Sequence, residues 1–170
     1  ADPKPHGGSM FRIYRDVRFS RDKSPYKTHA GVHFRHTAGK DAHAPGFYVH
    51  LAPDGLYFGG GVWRPPSPQL SRIRDFIADN PRAWAKVTQA KKIREVGGIQ
   101  GDSLKRPPRG FDADHEHIGD LKRKSFYVMT EAPATAAFSP NFADDVGEAF
   151  RRAAPLNRFI TTALDLPFRA

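Results

Sequence analysis

Residues 46–63 read GFYVHLAPDGLYFGGGVW, two strand-like segments joined by a short turn. In residues 46–52 apolar and polar side chains alternate, which is the pattern of a strand with one buried face. The APDG at 52–55 is a hairpin signal, because its proline presets one backbone dihedral and its glycine tolerates positive φ. Residues 56–63 then return as a second strand. The stretch therefore predicts an antiparallel β-hairpin.

The chain on either side of this hairpin supplies further strands and the helices. Strand patterns are found at 28–37 and 125–130, and a weaker alternation at 10–17. Apolar residues at helical spacing predict helices over 68–79, 81–96 and 140–164, the last kinked or divided by Pro155. The predicted fold class is α+β, an antiparallel β-sheet with helices packed on one face. A length of 170 residues predicts a single domain over 1–170.

Alternation also assigns side chains to the two faces of this sheet. Phe47 and Val49 belong to the core face, and Phe11 and Ile13 are expected to join them. The opposite face is predicted to be rich in histidine, arginine and tyrosine. Its expected members are Arg12, Tyr14, His29, His33, Arg35, Tyr48 and His50.

Two interpretations of that polar face remain open. A solvated outer face is ordinary for an antiparallel sheet. However, five of the eight histidines lie between residues 29 and 50, whereas solubilising faces usually carry lysine and glutamate. His33 and His50 are candidates for a general acid or base. No carboxylate is placed to complete a metal site with them, so neither a metal nor a cofactor is predicted.

The end of the hairpin carries three consecutive glycines, 59–61, followed by Trp63. The glycines lack the lysine and helix start of a phosphate-binding loop. A bulge, or the close approach of a ligand or of backbone, explains them better. Trp63 is predicted to be a core residue.

Positive charge is concentrated in the first two-thirds of the chain, whose total net charge is +9. Such an asymmetry predicts an anionic partner, either a phosphorylated ligand or nucleic acid. No apolar run approaches the roughly 18 residues of a membrane span, so no membrane partner is predicted. The chain has no cysteine, which is typical of the reducing cytosol and predicts a cytoplasmic protein. The oligomeric state is not predicted.

The most basic stretch, FRIYRDVRFSRDKSPYKTH at 11–29, carries a spaced motif. It reads Arg12-x-x-Arg15-Asp16-x-Arg18-Phe19-x-x-x-Lys23-x-Pro25-Tyr26-Lys27-Thr28. This motif resembles the signature of a bacterial and fungal family, domain of unknown function 2461, as do the later segments APGFYVHL, GGGVW, LKRPPRGF and LKRKSF. The resemblance covers nearly the whole chain and implies no activity. Members usually carry a helical stretch before the motif, so it implies that an N-terminal helical segment is missing here.

Three functions follow as expectations. The first is an anion-binding module, with ligand contacts from Arg12, Tyr14, Arg18, Lys23, Tyr26, Lys27, His29, His33, Arg35, Tyr48 and His50. The second is an enzyme acting on an anionic substrate, with His33 or His50 as acid or base. The third is a protein-interaction domain with a structural Arg–Asp network. Arg15 is predicted to be buried with Asp16 as its carboxylate, and Arg18 to be exposed toward the ligand.

Overall fold

A four-stranded antiparallel sheet forms the centre of the molecule in a computed structural model that describes residues 8–36 and 44–166. The strands are β1 (Ala30–Arg35), β2 (Gly46–Ala52), β3 (Gly55–Val62) and β4 (Phe126–Ala132), in the spatial order β1-β2-β3-β4. The β2–β3 hairpin pairs Ala52 with Gly55, as its turn signal predicts. The antiparallel α+β prediction is confirmed.

The helices pack on one face of this sheet. They are α1 (Ser67–Asp79), α2 (Pro81–Thr88), α3 (Lys91–Arg94), α4 (Ile118–Leu121) and α5 (Phe142–Ala163), with a 3₁₀ turn at Ala134–Phe138. Helix α5 lies across the sheet, and its Phe150 ring stacks on Phe47 at 4.7 Å between centroids. It runs through Pro155 undivided. No helix in the described ranges has the length and apolar character needed to cross a bilayer.

The main core lies between the sheet, α1, α2 and α5. Trp84, Phe126, Leu156 and Ile160 are fully buried there. The Trp84 ring meets Phe126 edge-on at 5.9 Å. Since a buried indole N–H needs an acceptor, Trp84 Nε1 donates to Asp120 at 2.8 Å. This core holds one face of the sheet rigidly and leaves the other open.

The predicted helix over 81–96 is wrong as a single element, because Ala90 has extended dihedrals and separates α2 from α3. Trp84 and Ile93 are both fully buried. Nine positions along an unbroken helix would place them about 180° apart on its circumference. The break allows both side chains to face the core.

The predicted strand at 10–17 is also wrong. Residues 8–27, here called the arm, run out and back along the sheet's edge with only the isolated bridges Met10–Val32 and Tyr14–Tyr26. The arm changes partner halfway: Phe11 N donates to Gly31 of β1, whereas Arg15 N donates to Pro25 within the arm. A segment that leaves the ladder after one bridge cannot keep the strand's alternation of faces.

Candidate ligand-binding cavity

The sheet face opposite the helices gathers the predicted histidine and tyrosine side chains. In the β1–β2 register His33 lies opposite Tyr48, and Gly31 opposite His50. The His29 ring stacks on His50 at 4.5 Å between centroids. Arg35 lies two positions after His33 in β1, so the two side chains point to the same face. Five of the residues predicted for this face, His29, His33, Arg35, Tyr48 and His50, are therefore placed on it.

A cavity of about 440 Å³ opens on this face. Aromatic and apolar side chains dominate its walls, and one imidazole belongs to them. The lining residues are Phe11, His33, Ala44, Gly46, Tyr48, Gly60, Gly61, Trp63, Tyr127 and Met129.

The glycines of β3 create this space. Gly59 lies between Tyr48 and Met129 in the register, and Gly61 lies between Gly46 and Tyr127. A Cβ on Gly59 would stand 2.0 Å from the Val128 carbonyl oxygen, and one on Gly61 would stand 2.2 Å from that of Phe126. Gly61 also has φ +144, which side chains rarely adopt. Close approach of the β4 backbone thus explains Gly59 and Gly61, whereas a Cβ on Gly60 would meet Phe47 and Asn157 on the helix side. The missing side chains leave a trough between Tyr48 on β2 and the β4 side chains Tyr127 and Met129.

Two walls differ from the sequence-based expectations. Phe11 lies on this open face, 6.3 Å from the His33 ring and 6.2 Å from Tyr48, so its inward assignment is wrong. Ile13, also expected inside, is 54% exposed. Trp63 is 59% exposed and borders the cavity, so its assignment to the core is wrong. In each case the chain is leaving the regular ladder, where period-two alternation fails.

His33 is the only buried titratable group among the described lining residues. The residue is 8% exposed, and its Nδ1 has no hydrogen-bond partner in the described part of the chain. Burial lowers the pKa of His33 below 6.5, with a smaller contribution from the Arg35 charge. A neutral imidazole with an unused ring nitrogen can accept or donate one hydrogen bond to a bound molecule.

A hydrogen-bonded pair continues from the cavity toward solvent. The Tyr48 hydroxyl, which borders the cavity, lies 2.9 Å from His50 Nδ1. Burial raises the pKa of Tyr48. Burial lowers the pKa of His50, and the neighbouring His29 lowers it further, against a smaller opposing effect of Asp54. Near neutral pH a protonated phenol is therefore paired with an uncharged imidazole, and the tautomer of His50 decides which of the two donates.

These histidines should make folding pH-dependent. Because the folded state holds the pKa of His33 and His50 below 6.5, it binds fewer protons than the unfolded chain near that pH. Stability present above pH 6.5 should therefore fall as the pH drops through the lowered values. Urea denaturation at about pH 7.5 and 5 should show this loss, and His33→Gln should lose less stability than the unchanged protein. An equal loss in both would contradict the assignment.

Cations stand over two of the rings that border the cavity. Lys27 Nζ lies 5.7 Å from the centre of the Phe11 ring. The Arg64 guanidinium carbon lies 4.9 Å from the centre of the Trp63 ring. Both distances are in the range of cation–π contacts. Arg64 also reaches Asp102 at 3.3 Å, with both side chains mostly exposed.

Only His33 and Tyr48 of the eleven predicted ligand contacts line the cavity. Five others lie on the arm, outside the lining. They are Arg12, Tyr14, Arg18, Lys23 and Tyr26. The expected Arg15–Asp16 pair is not formed. Asp16 instead accepts two hydrogen bonds from the Arg18 side chain, at 2.9 and 2.7 Å, and Arg15 pairs with Asp22. Although Arg15 is adjacent to Asp16, its side chain reaches Asp22 on the returning segment of the arm, which leaves Asp16 to the two-point contact with Arg18.

No site for a metal ion emerges from the described residues, where no three histidine or carboxylate side chains cluster suitably. In a comparison with protein families, the model described as "Conserved hypothetical protein (DUF2461)" matches residues 1–159. The chain belongs to the DUF2461 family. No curated protein and no solved structure matches it. The description of DUF2461 names no reaction or ligand, so the cavity's own chemistry has to indicate one.

Eight of the ten lining residues of this DUF2461 protein were not predicted as site residues, and four of them carry large side chains: Phe11, Trp63, Tyr127 and Met129. Tyr127 and Met129 are about seventy positions from β3 in sequence, and only the β3–β4 register brings them to the glycines. The glycine triplet was the available signal, because missing side chains on one strand leave room between those of its neighbours. The residues of β4 that lie beside the glycines could not be identified without knowing how β3 and β4 pair.

Proposed function

We propose that the cavity binds a small anionic ligand with a flat ring, of the class of a phosphorylated aromatic or heterocyclic compound. The observation that carries this proposal is the pair of cations, Lys27 and Arg64, held against the rings of Phe11 and Trp63 at the cavity's edge. A ring inserted between the walls would leave its charged group at the rim, within reach of these side chains.

The walls favour a flat ring. Tyr48, Trp63 and Tyr127 offer aromatic surface around a glycine floor, which allows a planar group to approach the backbone closely. The volume of about 440 Å³ lies within the range of roughly 300–1,000 Å³ usual for small-molecule sites. His33, whose buried Nδ1 has no described partner, supplies a polar group that can orient the ligand, beside the hydroxyl of Tyr48.

The rim favours an anion. Lys27 and Arg64 stand over rings that line the cavity, and the charge of Arg35 is near enough to lower the pKa of His33. The Arg64–Asp102 pair is exposed and 3.3 Å long. Such surface pairs stabilise a protein little, so a phosphate can exchange for the carboxylate at small cost. A phosphate accepts hydrogen bonds from both ammonium and guanidinium groups.

Adenosine monophosphate is a suitable probe, because it combines a flat ring with a phosphate. Adenosine carries the ring without the phosphate, and ribose 5-phosphate carries the phosphate without the ring. Calorimetric titration should give tighter binding of the nucleotide than of either half. Trp63→Ala should weaken the binding of adenosine monophosphate and of adenosine alike, by about fivefold or more, because it removes stacking surface. Lys27→Met should weaken the binding of the phosphorylated compounds only. Added salt should likewise weaken the binding of these compounds and not that of adenosine.

Phe138→Ala is the matched control, since Phe138 is 87% exposed and does not line the cavity. It should bind like the unchanged protein. Equal affinity for adenosine monophosphate in the Trp63→Ala and unchanged proteins would contradict the proposal. So would ribose 5-phosphate binding as tightly as the nucleotide, since the rings would then contribute nothing.

A second candidate is catalysis on the same ligand. It is favoured by the unpartnered, buried Nδ1 of His33 and by the Tyr48–His50 hydrogen bond at the cavity wall. A neutral imidazole held near neutral pH is suited to general base catalysis, with the rim cations stabilising negative charge. In that case His33→Gln or His50→Gln would abolish turnover of a phosphorylated substrate while retaining its binding. Retained turnover in both variants would exclude this role.

A further inference from the structure

Apart from Phe11 and Lys27 at the cavity, the arm presents a second basic and aromatic surface that does not line the cavity. Its outgoing and returning segments are joined by two backbone hydrogen bonds: Lys27 N donates to Ile13 O at 2.8 Å, and Arg15 N donates to Pro25 O at 2.9 Å. The far end, residues 16–24, has no strand or helix. It is nevertheless ordered by side-chain contacts of its own.

The two carboxylates of the arm supply those contacts. Asp22 accepts from the Ser24 backbone N–H at 2.9 Å and from its hydroxyl at 2.6 Å, and pairs with Arg15. Asp16 accepts from Arg18 through two nitrogens. Lys23 Nζ donates to the Val17 carbonyl at 2.9 Å. The acidic groups are thus used to fix the tip.

Positive charge remains in excess after this pairing. Residues 8–27 contain six basic side chains, Arg12, Arg15, Arg18, Arg21, Lys23 and Lys27, against the two aspartates. Arg12 and Arg21 are exposed. Neither forms a salt bridge with a described residue. Their charges are directed to solvent or to a partner.

Aromatic rings stand among these charges. Phe19 is 96% exposed, with the Arg18 guanidinium carbon 5.9 Å from its ring centre. Tyr14 and Tyr26 are 52% and 56% exposed and lie 5.6 Å apart across the arm. Rings with open faces beside cations provide stacking surface and phosphate contacts within one short segment.

We propose that the arm binds single-stranded nucleic acid. Phe19 and the Tyr14–Tyr26 pair stack on unpaired bases, while Arg12 and Arg21 contact phosphates. A duplex keeps its bases stacked internally and would leave the rings unused, and an acidic peptide would satisfy only the charges. The proposal does not depend on the proposed function of the cavity, because the two sites share neither a stacking ring nor a cation that contacts phosphate.

Fluorescence anisotropy with a labelled oligothymidylate tests this assignment. Phe19→Ala should weaken binding by about fivefold or more, from the usual contribution of one stacked base. The Arg12→Ala/Arg21→Ala double variant should weaken it and reduce the slope of log affinity against log salt by about 1.4 for two lost phosphate contacts. Circular dichroism of each variant should match that of the unchanged protein, which establishes that the fold is retained.

Two controls separate the arm from the rest of the molecule. Phe138→Ala removes another exposed phenylalanine, outside the arm, and should leave the affinity unchanged. Trp63→Ala removes a wall of the cavity and should also leave the oligothymidylate affinity unchanged. The same variant should bind adenosine monophosphate more weakly. Unchanged oligothymidylate affinity in Phe19→Ala would overturn the proposal. Equal or tighter binding of a labelled duplex or of polyglutamate would overturn it as well.

Discussion

Replacing Gly59 with alanine is expected to lower the free energy of unfolding by about 3 kcal/mol or more. The added Cβ would stand 2.0 Å from the Val128 carbonyl oxygen and 2.9 Å from the Met129 Cα. Both obstacles are backbone atoms, so no side-chain rotation can relieve them. Strands β3 and β4 would have to separate, with loss of their ladder and of the position of Met129 in the cavity wall.

Urea denaturation followed by circular dichroism measures this effect as a shift of the midpoint. Gly119→Ala in α4 is the matched control, because a Cβ there meets nothing within 4 Å. It should leave stability unchanged or raise it slightly, since alanine favours helix over glycine. A Gly59→Ala protein as stable as Gly119→Ala would show that the β3–β4 approach is not as close as described.

Replacing Trp84 with alanine is expected to cost about 3–5 kcal/mol, as usual for a large aromatic residue removed from a core. Trp84 is fully buried and packs on Phe126 at 5.9 Å and Phe159 at 4.9 Å between ring centres. The change would also deprive Asp120 of the indole donor at 2.8 Å. The same denaturation experiment measures the loss.

Trp63→Ala provides the matched comparison for Trp84→Ala. Trp63 is 59% exposed and should change stability by about 1 kcal/mol or less. The two tryptophans are thus expected to divide their roles, one in the core and one at the cavity. Similar destabilisation by both substitutions would contradict that division.

Much of the sheet could be predicted from residues 46–63, because strand alternation and a two-residue turn fix the register between β2 and β3. The same rule placed His33, Tyr48 and His50 on one face. These residues lie in regular ladders, where local pattern and global fold agree. Sequence reasoning succeeded where the backbone is regular.

It failed where the chain departs from regular pairing. Phe11 and Ile13 were assigned to the core by alternation. However, the arm pairs with β1 at only one bridge and then pairs with its own returning segment. The break at Ala90, which turns Ile93 into the core, has no glycine or proline to mark it. Both outcomes depend on tertiary packing that overrides local pattern.

The Arg–Asp pairing of the arm was wrong for a related reason. Asp16 was expected to bind Arg15, but Asp22 reaches Arg15 across the turn of the arm. The predicted order of exposure nevertheless agrees with the structure: the Arg18 side chain is 75% exposed and that of Arg15 is 29% exposed. Contacts across an irregular turn depend on its path, which sequence spacing alone does not give.

Binding of a flat anionic ligand in the open-face cavity can be tested within one spectrum through the two tryptophans of the chain. In a ¹⁵N–¹H NMR titration with adenosine monophosphate, the indole signal of Trp63 should move progressively to saturation. The Trp84 indole, hydrogen-bonded to Asp120 in the core, should stay in place. Trp63→Phe identifies the moving signal. A Trp63 signal that remains fixed at saturating nucleotide would contradict the account.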